Sequence, residues 1–447
     1  DGSRVGRVRP PGWARDMPMS EPGDEDMARS LDGVAASPFP KASPNPGVRR
    51  SPYITSRTDT AQTSSDMNRL ESGGGRSGQG GTLGSVRIEE LGGAGSLPSL
   101  SSEWGELQRH AVFPTPFFQP EYLKLWADTL GKQFEPRILT ARSAGKLVGI
   151  APLMELEDPL GPLSVSTVRF LGNNIGYQGD VLYADILASE PRSEVVAAIL
   201  EHVKATWRAQ RWDLGYLHPS SPACAIARRI LRLDDSAPGA DVSKPVVTLD
   251  LPLDWGAYLR SLSANTRGNF RRRLRRLEGK GRVAVAVDRE PTACSRRIGE
   301  LIRNHERWWK GSRKEAWFGD EAVHRFLADS AALLASKGQY RVFRLELDGT
   351  AIAWSAGAFD GARYLEQVVS HDREFAADSP GMVLSILFVR ELLEAHVSRV
   401  VLGPGFDERK RALGGTSTEF IRVQGYPGWL RGVARLRTAW SRRRASR

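Results

Sequence analysis

His371-Asp-Arg-Glu-Phe-Ala-Ala-Asp-Ser-Pro-Gly-Met-Val-Leu-Ser385 leads into an apolar helical run, a short strand at Arg399-Val-Val-Leu402, and the loop Gly403-Pro-Gly-Phe-Asp-Glu-Arg-Lys410. Just upstream, Tyr364-Leu-Glu-Gln-Val-Val-Ser370 reads as a strand. A strand that runs into Ser-Pro-Gly and opens a helix turns backbone N–H groups toward a place where a phosphate can sit. Pro380 suits the first helical turn, where a missing N–H costs nothing, and Gly381 leaves space for a ligand against the backbone. A plain turn with a cap has the same appearance, so the reading depends on what surrounds it.

Upstream, Tyr340-Arg-Val-Phe-Arg-Leu-Glu-Leu347 and Thr350-Ala-Ile-Ala-Trp-Ser-Ala-Gly-Ala-Phe359 flank Asp348-Gly349, a two-residue hairpin signal, and a second turn at Asp360-Gly361 leads to the strand at 364–370. Further back come helices at 291–309 and 321–337, a strand at 282–288, and a helical segment from Trp255 that continues through the Arg-rich run ending at Arg276. The order is helices, an antiparallel meander, then a helix and a parallel-type strand. The stretch 97–250 repeats it. A helix at 120–130 precedes strands at 137–141 and 146–154 around Ser143-Ala-Gly145, then strands at 166–172 and 179–183. A helix at 194–210, a strand at 212–217, a helix at 223–233 and a strand at 245–250 complete the unit. This reads as an internal duplication: an α+β chain of two tandem domains, each a mixed, mainly antiparallel sheet flanked by helices. The units run over 97–250 and 251–428, followed by a basic tail at 429–447 without an acidic residue.

Residues 1–96 are rich in Gly, Ser and Pro and have no hydrophobic period, so they are expected to form a disordered tail, a linker or non-native extension of a chain that opens on Asp1. Cys224 and Cys294 are too few for a disulfide framework and lack metal-ligand spacing, which fits a reducing compartment and no metal. No apolar run reaches membrane-spanning length, and a soluble, cytoplasmic chain is expected. The net charge of +11 implies an anionic partner, and CoA, tRNA, anionic polysaccharide and a membrane surface all satisfy it.

The second unit resembles the GNAT acyltransferase superfamily, in the branch of CelD-like cellulose biosynthesis proteins related to FemAB-type tandem transferases. The resemblance rests on the run from Tyr258 to Leu277, on Leu347-Asp-Gly-Thr-Ala-Ile-Ala353, on Ser379-Pro-Gly381, and on the segment from Gly405 to Lys410. Gly149-Ile-Ala-Pro-Leu153, Phe170-Leu-Gly172 and Gly179-Asp-Val-Leu182 extend it to the first unit, so that it covers roughly residues 97–428. It departs from the family at two places. The pyrophosphate loop keeps one glycine, and Arg409 stands where relatives often carry a Tyr before the late Lys.

The resemblance implies an acyl-CoA-dependent N- or O-acyltransferase, with acetyl-CoA or another acyl-CoA as donor and a small-molecule or glycan acceptor. It points to exopolysaccharide or cell-envelope metabolism and to polysaccharide synthesis proteins as partners. An aminoacyl-tRNA-dependent transferase and a non-catalytic scaffold are the alternatives. On this basis Ser379, Gly381 and Met382 are expected at the pyrophosphate, and Gln367 and Val368 beside the acyl group. Arg267 and Trp308 are expected at the acceptor, with Lys410 pairing an anionic acceptor or serving catalysis. His305 and His371 are the neutral-range bases, and Glu366 and Asp320 are carboxylate alternatives whose plainer reading is a surface charge. The first domain is expected to be degenerate.

Overall fold

The computed structural model describes residues 86–160, 163–173, 183–190, 192–231, 243–309 and 320–426, apart from the side chains of 159, 160, 163, 308 and 309. The first half contains β1 (Arg87–Gly92), α1 (Ser101–Arg109), α2 (Pro120–Thr129), β2 (Glu135–Ser143), β3 (Lys146–Leu160), β4 (Leu163–Phe170), β5 (Leu187–Ala188), α3 (Arg192–Thr206), β6 (Arg211–Leu217), α4 (Pro222–Ile230) and β7 (Ser243–Asp250). The second contains α5 (Trp255–Ser261), α6 (Ala264–Glu278), β8 (Val283–Asp288), α7 (Pro291–Trp309), α8 (Glu321–Ser336), β9 (Tyr340–Leu347), β10 (Thr350–Asp360), β11 (Arg363–His371), α9 (Pro380–Glu394), β12 (Arg399–Pro404), α10 (Glu408–Ala412) and β13 (Thr416–Gly425).

The duplication is visible in the pairing. β1 to β4 form an antiparallel meander and β4 then pairs β6 in parallel; β8 to β11 form a second meander and β11 pairs β12 in parallel. Equivalent hairpins turn at Ala144-Gly145 and Asp348-Gly349, and in each both central residues have positive φ (48° and 81°; 50° and 79°). That is the turn whose twist matches the flanking strands. Each parallel partner carries Arg-x-x-Leu-Gly, as Arg211–Gly215 and Arg399–Gly403, and both glycines adopt positive φ (71° and 82°).

The halves do not close separately. β7, at the end of the first half, pairs β12 of the second, while β13 pairs β6 of the first. β7 and β13 pair with each other, fusing everything into one 13-stranded sheet among the described residues. Each half therefore lends its last strand to the other. α7 and α8 join the first half in one hydrophobic core through Ile298, Leu301, Phe326 and Leu334. α5, α6 and α9 cover the opposite face of the second meander with Tyr258, Phe270, Val383, Phe388 and Leu392.

Several expectations are corrected. Residues 87–96, placed in the tail, form β1 and the start of the 3-10 turn Ala94–Leu100. The segment from Trp255 is two helices, because Ser263 accepts the Thr266 N–H at 3.1 Å and caps α6. Sequence reading missed β13. Of the strand expected at 179–183, only Tyr183 is among the described residues, and its φ of 62° is left-handed. The basic tail at 429–447 and Trp317 lie outside the described residues.

Candidate functional site

β11 and β12 pair in parallel only from Arg363↔Arg399 to Leu365↔Val401, and then part. At this point Ala356 pairs Val368 while Gly357 pairs Glu366, so Gln367 is the extra residue of a β-bulge. A bulge takes its extra residue out of the regular ladder and re-aims the chain, and here it lies where two parallel strands separate. Polar groups line this gap. Glu366 is 6% exposed, so the surface charge expected there is instead a buried carboxylate. It receives both Arg409 Nη atoms (3.2 and 2.7 Å) and the Ser355 hydroxyl at 3.2 Å. Arg409 also donates to Ser385 Oγ on α9 at 3.2 Å. One guanidinium thus ties α10 to both β11 and α9, in the bidentate geometry that makes such pairs strong.

At the far end of β11 the chain enters the 3-10 turn Arg373–Asp378 and then α9. Ser379 is left-handed (φ 47°) and makes no side-chain cap to α9. The Met382 and Val383 N–H groups both donate to the Ser379 carbonyl. Gly381 faces His371, whose Nδ1 lies 3.5 Å from where a Cβ would stand. Burial lowers the His371 pKa, against the pull of Asp372, so the ring is neutral at pH 7. Beside them Asp378 is fully buried, 2.8 Å from Arg276 of α6 and ion-paired with Lys280. About half of each cation's side chain remains exposed. These two side chains are the cations near the α9 N-terminus that a phosphate could share with Asp378.

The residues read from sequence are thus separated along one axis. Gln367 and Val368 lie at the gap. The Gln367 amide accepts from Tyr340 Oη at 2.7 Å and donates to Tyr122 Oη at 3.5 Å, which holds it against the first half. Ser379, Gly381, Met382 and His371 gather at the other end. His371 is four residues beyond Gln367, about 13 Å at strand rise, whereas direct proton transfer needs about 3 Å. It therefore stands at the α9 end, beyond direct reach of Gln367. Lys410 is 5% exposed and donates to the carbonyls of Gly403, Pro404 and Gly405 at 3.3, 2.6 and 2.9 Å. It clamps the loop behind β12. Burial pulls its pKa down to about 8 against the attraction of Asp407 and Glu366.

Arg267 donates to the carbonyls of Leu262 and Arg260, capping α5. It lies nine residues, about 14 Å along the helix, from Arg276. Asp320 caps α8 by accepting the Ala322 N–H at 2.8 Å. His305 follows Asn304 on α7; the buried Asn304 donates to Ser370 Oγ (2.8 Å) and the His371 carbonyl (2.7 Å). α7 packs on the face of β11 opposite α9. The Trp308 side chain is outside the described residues. Sequence reading missed the Glu366–Arg409 pair, Asp378, Asn304, Ser385 and Tyr183. A carboxylate directly before Ser-Pro-Gly was the available signal for Asp378, whereas the other contacts depend on tertiary pairing.

The matching place in the first half is filled. β4 and β6 pair only at Thr167↔Arg211 and Val168↔Trp212. Asn173 Oδ1 sits 2.4 Å from where a Gly215 Cβ would stand. Asp213, fully buried, is 2.9 Å from Arg422 of β13, 3.4 Å from Arg211 and 3.9 Å from Arg169. Asp158 pairs Arg169 at 2.5 Å and Arg211 at 3.3 Å. Burial would raise Asp213, but Arg422, Arg211 and Arg169 together hold it well below the carboxylate range. Charge here fastens strands.

With this geometry in view, residues 264–411 match the family model described as "Acetyltransferase (GNAT) domain". The crystal structure of FemX is similar at a TM-score of 0.50 and 12% identity, over 73% of this chain and 96% of that one. A tandem GNAT protein from the clavulanic acid biosynthesis pathway aligns at 0.43 and 15% identity, over 77% of this chain and 99% of that one. No curated protein matches the chain. The molecule has a GNAT-type acyltransferase fold, arranged as two tandem GNAT-like halves. Among the described residues no helix is long and apolar enough to cross a membrane, and no group of three or more His, Cys, Asp or Glu is placed to hold a metal ion.

Proposed function

We propose that the chain is an acyl-CoA-dependent N- or O-acyltransferase whose reaction takes place in the second half, with the first half serving as scaffold. The observation that carries this is the gap between β11 and β12, which opens at a bulge and is lined by polar groups. Its counterpart in the first half is plugged. The acyl group would lie beside Gln367 and Val368, where an amide outside the regular ladder can donate to the thioester carbonyl. The acceptor's amine or hydroxyl attacks the acyl carbon, a C–N or C–O bond forms, the C–S bond breaks, and the acceptor's proton leaves with the thiol.

Arg276 and Lys280 would hold the donor's phosphates, with Ser379, Gly381 and Met382 beside them; His371, neutral, would border them. Pro380 has no N–H, and the Met382 and Val383 N–H groups already bond within the first turn, so side-chain cations carry more of this task than backbone amides. Lys410 would fix the Gly403–Gly405 loop that walls the gap. His305, whose neighbour Asn304 bonds the His371 carbonyl, shares that end of β11 and, like His371, would not act as a direct base at the gap. An envelope or exopolysaccharide acceptor, a cytoplasmic location and a place in the CelD-like branch complete the reading.

One observation favours a second donor. Arg409 spans α10, α9 and β11 across the gap, where a pantetheine arm would have to pass beside it. α6 meanwhile presents Arg271, Arg272, Arg275 and Arg276 to solvent, a face suited to a tRNA backbone. A thermal-shift titration of the full chain with acetyl-CoA and with CoA tests the first reading. A saturable rise in melting temperature supports it, and Asp378→Lys should change the CoA response through the same phosphate end. No shift at millimolar CoA, together with salt-sensitive binding of aminoacyl-tRNA, would replace the donor with the second reading.

A further inference from the structure

Besides Tyr122, a second hydroxyl of the first half reaches the second half's gap. Tyr183 lies just before β5, yet its hydroxyl stands 3.9 Å from where a Gly403 Cβ would be, the same distance as the Glu366 carbonyl oxygen. Glu366 directly follows the last β11–β12 pair, Leu365↔Val401, and Gly403 lies two residues past that pair on β12. The Tyr183 hydroxyl is closed to solvent and has no hydrogen-bond partner among the described residues, which is costly for a buried hydroxyl unless something else supplies one. Its ring is held from several sides. Phe113 packs against it at 4.8 Å and Phe420, on the exchanged strand β13, at 5.9 Å. Phe113 in turn lies under the Arg363 guanidinium of β11 at 5.3 Å. The backbone at Tyr183 is left-handed (φ 62°), which a bulky side chain rarely adopts. Packing thus overrides an unfavourable backbone to keep this hydroxyl at the gap.

We propose that Tyr183 donates a hydrogen bond to the acyl carbonyl oxygen of a donor seated between β11 and β12, so that the second half's site is completed by a residue of the first. This rests on the acyl-transfer reading of the gap. Burial, with the nearby Glu366 charge, raises the Tyr183 pKa far above the ordinary phenol range, so the group keeps its proton and acts as donor. The acyl oxygen is the part of a thioester that needs a donor, because it gathers negative charge as the acyl carbon is attacked. Free CoA has no such oxygen, so the hydroxyl should distinguish acetyl-CoA from CoA.

The test compares the full chain with Tyr183→Phe, using calorimetric titrations of acetyl-CoA and CoA and the melting temperature of the free protein. The wild type should bind acetyl-CoA more tightly than CoA. The variant should lose about 2- to 10-fold in acetyl-CoA affinity, the range of one neutral hydrogen bond, with CoA affinity unchanged. Its free melting temperature should equal or exceed the wild type's, because an unpartnered hydroxyl has been removed. A variant that keeps the acetyl-CoA preference overturns the role of Tyr183 and leaves the acyl-CoA reading standing. A variant that melts several degrees lower and loses both ligands alike also overturns it, since the hydroxyl is then a structural bond. A wild type that binds neither ligand overturns the acyl-CoA reading and the role of Tyr183 with it.

Discussion

The two places where parallel strands part have the same backbone and opposite contents. In the first half, β4 leaves β6 beside Gly215, Asn173 occupies the space, and Asp213 anchors three arginines. In the second, β11 leaves β12 beside Gly403, and among the described residues nothing lies nearer than 3.9 Å to the Cβ that glycine lacks. Val401 stands where Asp213 does in the repeated Arg-x-x-Leu-Gly motif, so the second half has no carboxylate at that position and carries its buried one, Glu366, on β11 instead. Duplication supplied two gaps; side chains fill the space beside the glycine in the first and leave it clear in the second, next to the Glu366–Arg409 pair. A buried ion cluster carries a desolvation cost and suits a place that must not move. An open gap gives up packing and suits a place that must receive something.

The sharpest way to break this comparison is to remove the central carboxylate of each gap. Asp213→Ala and Glu366→Ala both strand buried guanidinium groups, and each should destabilise by about 3–5 kcal/mol, the usual result of deleting one partner of a buried pair. Function should separate them. Asp213→Ala should keep the acetyl-CoA thermal shift measured from its own lower baseline, whereas Glu366→Ala should lose it together with transfer. Equal loss in both variants would mean that the first gap also binds ligand. Acid should distinguish them further. The folded Asp213 pKa lies below the unfolded value of about 3.9, so its contribution is complete above pH 4–5 and is lost as pH falls toward the folded pKa. Urea melts of wild type and Asp213→Ala should therefore converge in strong acid.

What the sequence made legible follows the same division. The Asp-Gly and Ala-Gly hairpins, the 291–309 helix and the Ser-Pro-Gly helix start are local signals, and all are present. β13 was invisible because Thr416-Ser-Thr-Glu-Phe-Ile-Arg-Val-Gln-Gly is mostly polar, and its stability comes from being paired on both sides by strands distant in sequence. β1 was hidden by the Gly/Ser-rich residues before it. Among site residues, Gln367 could be placed on β11 because its strand was readable. Lys410 and Arg267 read as free cations because sequence gives a charge without the carbonyls that engage it. Glu366 read as a surface charge for the same reason: its partner Arg409 lies forty-three residues away.

A smaller contrast lies in the two glycines. Alanine at either forces a side chain into left-handed backbone, costing about 1–2 kcal/mol. At Gly215 the new Cβ also meets Asn173 Oδ1 at 2.4 Å, so Gly215→Ala should be the more destabilising by about 1 kcal/mol or more. Asn173→Ala should relieve that excess in the double variant, as a coupled pair requires. Gly403→Ala should cost only the backbone strain in stability, yet reduce transfer by narrowing the gap. If Gly403→Ala leaves transfer untouched, the gap is not where the acyl group lies.

The gentlest probe is pH, acting on the loop clamp of the second gap. Lys410 donates to three carbonyls, and burial places its folded pKa near 8. Above that pH the amine has two N–H donors in place of three, so one of the Gly403–Gly405 carbonyls loses its partner. One such bond is worth about 0.5–1.5 kcal/mol, which corresponds to a roughly 2- to 10-fold fall in transfer between pH 7 and 9.5. Stability should move the other way. The unfolded lysine holds its proton to about pH 10.4, so between pH 8 and 10.4 the unfolded chain binds more protons and this group's contribution rises with pH. Lys410→Arg keeps its charge throughout and should abolish both trends, whatever its starting activity. Transfer rate and melting temperature, followed side by side across that range for the two proteins, test the assignment. If the arginine variant keeps the alkaline fall in rate, the titrating group lies elsewhere, and the open gap is held by something other than this clamp.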